Sequence, residues 1–150
     1  GIKGGYGTIK LGTMSSNYKQ MGGKVDPLYR TPLEGRGFLD IQSRRHGGRA
    51  INRGRQTNTV QYVSPKMAGI NLVANTTVSG AQDETSGLGL RWSNKSFMAY
   101  ADYITGQSAV SSTTGGKCSA GSTGGTCSKS HSVKGGGKFH TKTFALAAQY

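Results

Sequence analysis

The amino-acid sequence predicts an all-β fold of antiparallel strands, and three observations carry that prediction. Apolar and polar residues alternate with period two in six separate segments. The joins between those segments alternate strictly between short and long. Glycine supplies 25 of the 150 residues, which disfavours a mainly helical chain, and its lack of a three-residue period excludes collagen.

The first strand is expected over residues 6–14, where Ile9 and Leu11 share one side and Thr8, Lys10 and Gly12 the other. A long connection, 15–56, leads to a second strand over 57–64, with Val60 and Tyr62 opposing Thr59 and Gln61 until Ser64-Pro65-Lys66 breaks the run. The third spans 70–79 and sets Ile70, Leu72, Ala74, Thr76 and Val78 against Asn71, Val73, Asn75 and Thr77. In the fourth, 87–93, Leu88, Leu90 and Trp92 oppose Gly89, Arg91 and Ser93. After the turn Asn94-Lys95-Ser96 the fifth, 97–104, sets Phe97, Ala99, Ala101 and Tyr103 against Met98, Tyr100, Asp102 and Ile104. A surface loop over 105–138 precedes the sixth strand, 139–150, where Phe144, Leu146, Ala148 and Tyr150 alternate with Thr143, Ala145, Ala147 and Gln149.

In an up-and-down meander, alternating short and long joins put tight turns at one end of the strands and long loops at the other, the asymmetry of transmembrane β-barrels. The strand lengths suit the roughly 9–11 residues that cross a bilayer at a tilt. Tyr62, Trp92, Phe97, Tyr103 and Tyr150 lie near strand ends on the apolar lines, where an interfacial girdle holds amphipathic rings. The same positions would also serve the core of a soluble sandwich. No apolar run approaches the ~20 residues of a membrane-spanning helix.

Two motifs narrow this further. Arg55-Gln-Thr-Asn58-Thr-Val60-Gln-Tyr62-Val-Ser64-Pro65-Lys-Met-Ala-Gly69-Ile70 is similar to a strand-and-turn pattern of the general diffusion porins of Gram-negative outer membranes, nearer the neisserial and β-proteobacterial type. Gly5-Tyr6-Gly7-Thr8-Ile9-Lys10-Leu11-Gly12 resembles the strand that precedes the third loop in that family. Val63 stands where the family pattern has an acid, and the 15–56 connection is long and basic for the family. The resemblance implies an antiparallel transmembrane β-barrel segment of about six strands with one long inward-folded loop, the middle of a sixteen-stranded barrel. It further implies a homotrimer in the outer membrane, surrounded by the lipid bilayer and lipopolysaccharide, that passes small hydrophilic solutes and ions without a cofactor or covalent chemistry. Six strands leave two open edges, so the chain is expected to be part of a longer polypeptide.

Net charge adds a direction to the expected traffic. Lys and Arg number 19 against 6 Asp and Glu, for a formal charge of +13. Residues 15–56 hold nine basic side chains and three acids. The family's third loop bends into the barrel, so the resemblance makes Asp26, Glu34 and Asp40 candidate constriction acids and Arg44, Arg45, Arg49, Arg53 and Arg55 its basic return limb. Lys10 and Arg91 fall on the polar lines of their strands. The surplus predicts anion preference. Arginines on an exposed loop would equally suit lipopolysaccharide phosphates, and Lys117, Lys129, Lys134, Lys138 and Lys142 read as solvated outer-loop charges.

Other function classes fit less well. Arg44-Arg45-His46-Gly47-Gly48-Arg49 resembles an arginine-glycine segment, but residues 43–56 hold no aromatic for base stacking, and a nucleic-acid-binding protein has no need of regular amphipathic strands. Nucleic acid is therefore not an expected partner. A surface adhesin or receptor would use the same barrel and is not separated from a porin by sequence. An enzyme is not expected: the Gly-x-Ser-x-Gly elbow is absent, and His46, His131 and His140 are too scattered for a metal site. Cys118 and Cys127, with eight residues between them in a Gly/Ser/Thr stretch, suit a loop disulfide in an oxidising compartment.

Overall fold

Period-two alternation gives each strand two unlike sides, and the fold keeps them apart. The computed structural model describes residues 1–29, 31, 55–78, 85–109 and 127–150. They form one antiparallel sheet of eight strands in sequence order. The strands are β1 (Ile2–Gly4), β2 (Gly7–Ser15), β3 (Arg55–Val63), β4 (Ile70–Thr77), β5 (Thr85–Ser93), β6 (Phe97–Ala109), β7 (Cys127–His140) and β8 (Ala145–Gln149). Two short helices, α1 (Asn17–Gln20) and α2 (Gly22–Val25), follow β2. The sheet is not closed, and β1 and β8 are its two edges. Among the described residues no helix is long and apolar enough to cross a membrane.

Eight strands replace the expected six. β1 is only three residues long, too short to show a period. β7 occupies part of the stretch read as a surface loop over 105–138 and pairs with β6 from Phe97↔Phe139 to Ala109↔Cys127. Its alternation is masked because Gly135 and Gly137 stand where apolar side chains would mark the outer line. The expected strand over 139–150 is in fact the end of β7 and all of β8, divided by a turn. Thr141 closes that turn: its Oγ1 accepts from the amides of Thr143 (3.2 Å) and Phe144 (3.1 Å), the local side-chain bonding that lets Thr compete with a ladder.

The short joins are tight for identifiable reasons. At the β3–β4 join, Met67 and Ile70 exchange both backbone hydrogen bonds around Ala68 (φ 49°) and Gly69 (φ 85°). Positive φ at both central residues matches the right-handed twist of the hairpin. At the β5–β6 join, Asn94 Oδ1 accepts from the amides of Ser96 (2.9 Å) and Phe97 (2.7 Å).

One irregularity changes which side chains face in. Gly12 pairs with Thr59 but Met14 with Gln56, so β3 carries an extra residue there, with Asn58 at φ 50°. This bulge turns Gln56 onto the same face as Thr59 and Gln61, where strict alternation would put it on the other.

The two faces differ sharply. Along the outer one, Leu11, Leu88, Leu90, Phe97, Tyr103, Val133 and Leu146 are exposed; Leu11 and Val133 are 67% and 66% accessible. Along the inner one, Gln56, Thr59, Gln61, Asn75, Asp102 and Lys134 are buried. The α1–α2 segment packs on this face and bonds Gln61, Asn75, Asp102 and Lys134, while its Met21 and Val25 join Tyr100 and Met98 in a small apolar cluster.

The register also fixes how the strands lean. One hydrogen-bonded row runs Ile9, Tyr62, Ala74, Leu88, Tyr103, Val133 across β2–β7. Ile9 lies two residues from the short-turn end of β2, whereas Val133 lies seven from that of β7. Five residues of rise over five strand spacings incline the strands by about 35° to the normal of the line of short turns. Measured from that line, Tyr62, Trp92, Phe97 and Phe139 all fall within one residue of their strand ends. The outer face stays apolar from there to Tyr103 and Val133, then turns to Thr76, Ser86, Thr105 and His131, a belt that on β6 and β7 runs about 20 Å along the strands and about 17 Å in height at this lean.

Candidate functional site

Among the described residues, side-chain hydrogen bonds concentrate at the contact between the α1–α2 segment and the polar face of the sheet. Ser16 starts the segment as a helix N-cap, its Oγ accepting from the Lys19 amide at 3.3 Å. Asn17 then points into the sheet and is fully buried. Room for it exists because β5 has glycine at two successive inward positions: a Cβ on Gly87 would overlap Asn17 Oδ1, and one on Gly89 would overlap Asp102 Oδ1.

Within that slot every strand from β3 to β8 contributes a bond. The Asn17 amide donates to Asn75 Oδ1 at 3.0 Å, and Asn17 Nδ2 donates to Asp102 Oδ1 at 3.1 Å and to the Tyr103 carbonyl at 3.2 Å. Asn75 in turn donates to Gln56 Oε1 at 3.0 Å, and Gln56 donates to Thr85 Oγ1. Arg91 donates to Gln20 Oε1 (3.1 Å) and to the Asn17 carbonyl (3.3 Å), and lies 4.0 Å from Asp102. Gln20 Nε2 donates to Gln61 Oε1 at 3.2 Å. Lys134 donates to the Tyr18 carbonyl and sits 4.3 Å from the Tyr18 ring centroid. Tyr100 donates to Gln149 Oε1 at 2.8 Å, and Gln149 Nε2 donates to the Gly22 carbonyl at 3.4 Å.

Two physical consequences follow. The Asn17 and Tyr18 carbonyls, left over at the end of a four-residue helix, are satisfied by two cations whose charges suit a helix C-terminus. Burial, with Asp102 adding to it, pushes the Tyr18 phenol above its ordinary pKa. The bonds also require curvature: in a flat sheet Gln61 and Gln149 would stand about 27 Å apart. Both nonetheless reach residues only two positions apart, Gln20 and Gly22. The sheet therefore wraps its polar face around the segment.

The residues singled out from sequence fall into three groups. Arg91 is in the cluster, half-buried and bonded to the segment. Lys10 is on the same polar face, opposite Gln61, and exposed; Arg55 is exposed at the start of β3 and donates to the Thr13 carbonyl at 3.2 Å. Asp26 follows α2 and accepts from the Leu28 amide at 2.8 Å, closing a turn. Glu34, Asp40, Arg44, Arg45, Arg49, Arg53 and Cys118 lie outside the described residues, as does the pairing of Cys118 with Cys127.

Sequence reading missed Asn17, Gln61 and Tyr100 as site residues, and it placed Lys134 on a solvated loop where the structure buries it in β7. The signal that was available is the pair of glycines on the inward line of β5, which announces a close approach from another part of the chain. Compared with known proteins, the chain matches no protein-family model and no curated protein.

Proposed function

We propose that this chain forms part of the wall of a transmembrane antiparallel β-barrel in a Gram-negative outer membrane, a trimeric porin that passes small hydrophilic solutes and ions. In this reading the eight strands are half of a sixteen-stranded wall. Further strands pair with β1 and β8, because an unpaired edge in hydrocarbon costs several kcal/mol per polar group. The α1–α2 segment begins the loop that narrows the passage, and the work is done without cofactor or covalent chemistry.

The observation that carries the proposal is the inversion of the sheet, which is bare where it is apolar and covered where it is polar. A water-soluble sheet does the reverse, since contiguous exposed apolar patches are rare on soluble monomers. Two features of the register agree with a barrel: the lean of about 35°, close to the 35–45° of outer-membrane strands, and a row of aromatic side chains at one level beside the short turns.

Planar-bilayer recording tests the reading. The full-length protein is expected to give stable ohmic steps, and in a salt gradient a reversal potential of the sign that marks anion preference, because the chain carries +13. Absence of channels in a correctly folded preparation would end the proposal, and clear cation preference would end its anionic part.

A further inference from the structure

Arg91 lies on the polar face, yet its bonds run to the loop and not to open solvent. Its guanidinium holds Gln20 Oε1 and the Asn17 carbonyl, and its neighbour Asp102 is fully buried. Lys134 likewise spends its ammonium on the Tyr18 carbonyl beneath the Tyr18 ring. By contrast Lys10, on the same face, is exposed. The wall thus carries charges of two kinds, one set consumed in holding the segment and one open to whatever passes.

We infer that Asn17, seated over Gly87 and Gly89 and bonded to Asn75, Asp102 and the Tyr103 carbonyl, is the positioning residue that holds the α1–α2 segment against the wall. Arg91, Asp102 and Lys134 form the clamp around it and contribute little to selectivity. The consequence for passage width rests on the porin reading; the docking itself does not. The slot is shaped for this one side chain: a Cβ on either glycine would meet Asn17 or its acceptor. Three of the bonds to Asn17 come from groups 58, 85 and 86 residues away, so they hold the segment to the sheet and do nothing for the local helix.

Two lesions on opposite sides of the slot test this in the full-length protein. Asn17→Asp sets a second carboxylate against Asp102, and Gly87→Val fills the slot from the wall without altering the segment. Gly135→Ala, with its nearest neighbour a backbone oxygen at 3.6 Å, serves as the control. Trypsin cleavage after Lys19 and Lys24 in micelles is expected to speed up about tenfold in both variants, tracking the undocked population, and to stay unchanged in the control. The sheet circular-dichroism signal should be retained. In bilayers both variants should show larger or multi-level conductance steps.

Cleavage at the wild-type rate in either variant overturns the inference. So does loss of the sheet signal in both, because Asn17 would then be a general folding residue. Unchanged conductance alongside faster cleavage removes the passage-width consequence. A wild type that carries no current while the variants are still cleaved faster removes the porin reading and leaves Asn17 as the docking residue.

Discussion

Asn17 Nδ2 donates to Asp102 Oδ1 at 3.1 Å across 85 residues of sequence, and both side chains are buried. A neutral amide meeting a buried carboxylate on a sheet face that also carries Arg91 and Lys134 makes a strong, charge-assisted link between a connecting segment and the sheet.

Gly89→Ala should destabilise the fold by about 1–3 kcal/mol, because the added methyl collides with Asp102 and the slot has no spare volume. Gly135→Ala, on the opposite face, should change stability by no more than about 0.5 kcal/mol. Urea unfolding of the two variants from vesicles separates them.

Leu90→Arg should cost about 2–4 kcal/mol when folding is measured into lipid vesicles, the penalty for a cation near the bilayer midplane. Leu90 is 52% exposed, so on a soluble surface the same change would stay within about 0.5 kcal/mol. The vesicle titration distinguishes these outcomes directly.

Asp102→Ala should lower stability by about 3 kcal/mol, since it leaves the buried Lys134 and the half-buried Arg91 without their counter-charge. Equilibrium unfolding of the variant beside the wild type gives the number. A near-neutral result would mean that the two cations find other acceptors.

If the proposed channel conducts, Lys10→Gln should reduce its anion-to-cation ratio about twofold, the effect of removing one charge about 8 Å from an ion in water, ~0.5 kcal/mol. Lys10 is exposed on the polar face, so its loss should leave the unfolding curve where it was. Reversal potentials in a salt gradient measure the ratio.

Side-chain contrast decides how much of the fold is legible in the sequence. β2, β4, β5 and β6 announced themselves because Ile9/Leu11, Leu72/Ala74, Leu88/Leu90 and Ala99/Tyr103 alternate with polar neighbours. β7 did not, because Gly135 and Gly137 have no side chain with which to show an outer face, and the lysines around them suggested a loop. The inward turn of Gln56 was illegible for a different reason: a bulge at Asn58 shifts the phase of alternation and leaves no mark in hydropathy. Period two puts Arg91 on the polar line of β5, but nothing local says that it meets Gln20, 71 residues earlier. Asn17 carries no signal of its own, because one Asn in a connection is ordinary until the glycines opposite it are known to face inward.

The reversed sheet also predicts an unusual pattern of tolerance to substitution. Positions that look surface-like by accessibility, such as Leu11, Val133 and Leu146, should accept any greasy replacement and refuse hydrophilic ones, whereas Gln61, Asn75 and Asp102 should refuse nearly everything. A saturation library scored for assembly would therefore look like that of a water-soluble protein turned inside out, with its most exacting sites dressed in amides and carboxylates.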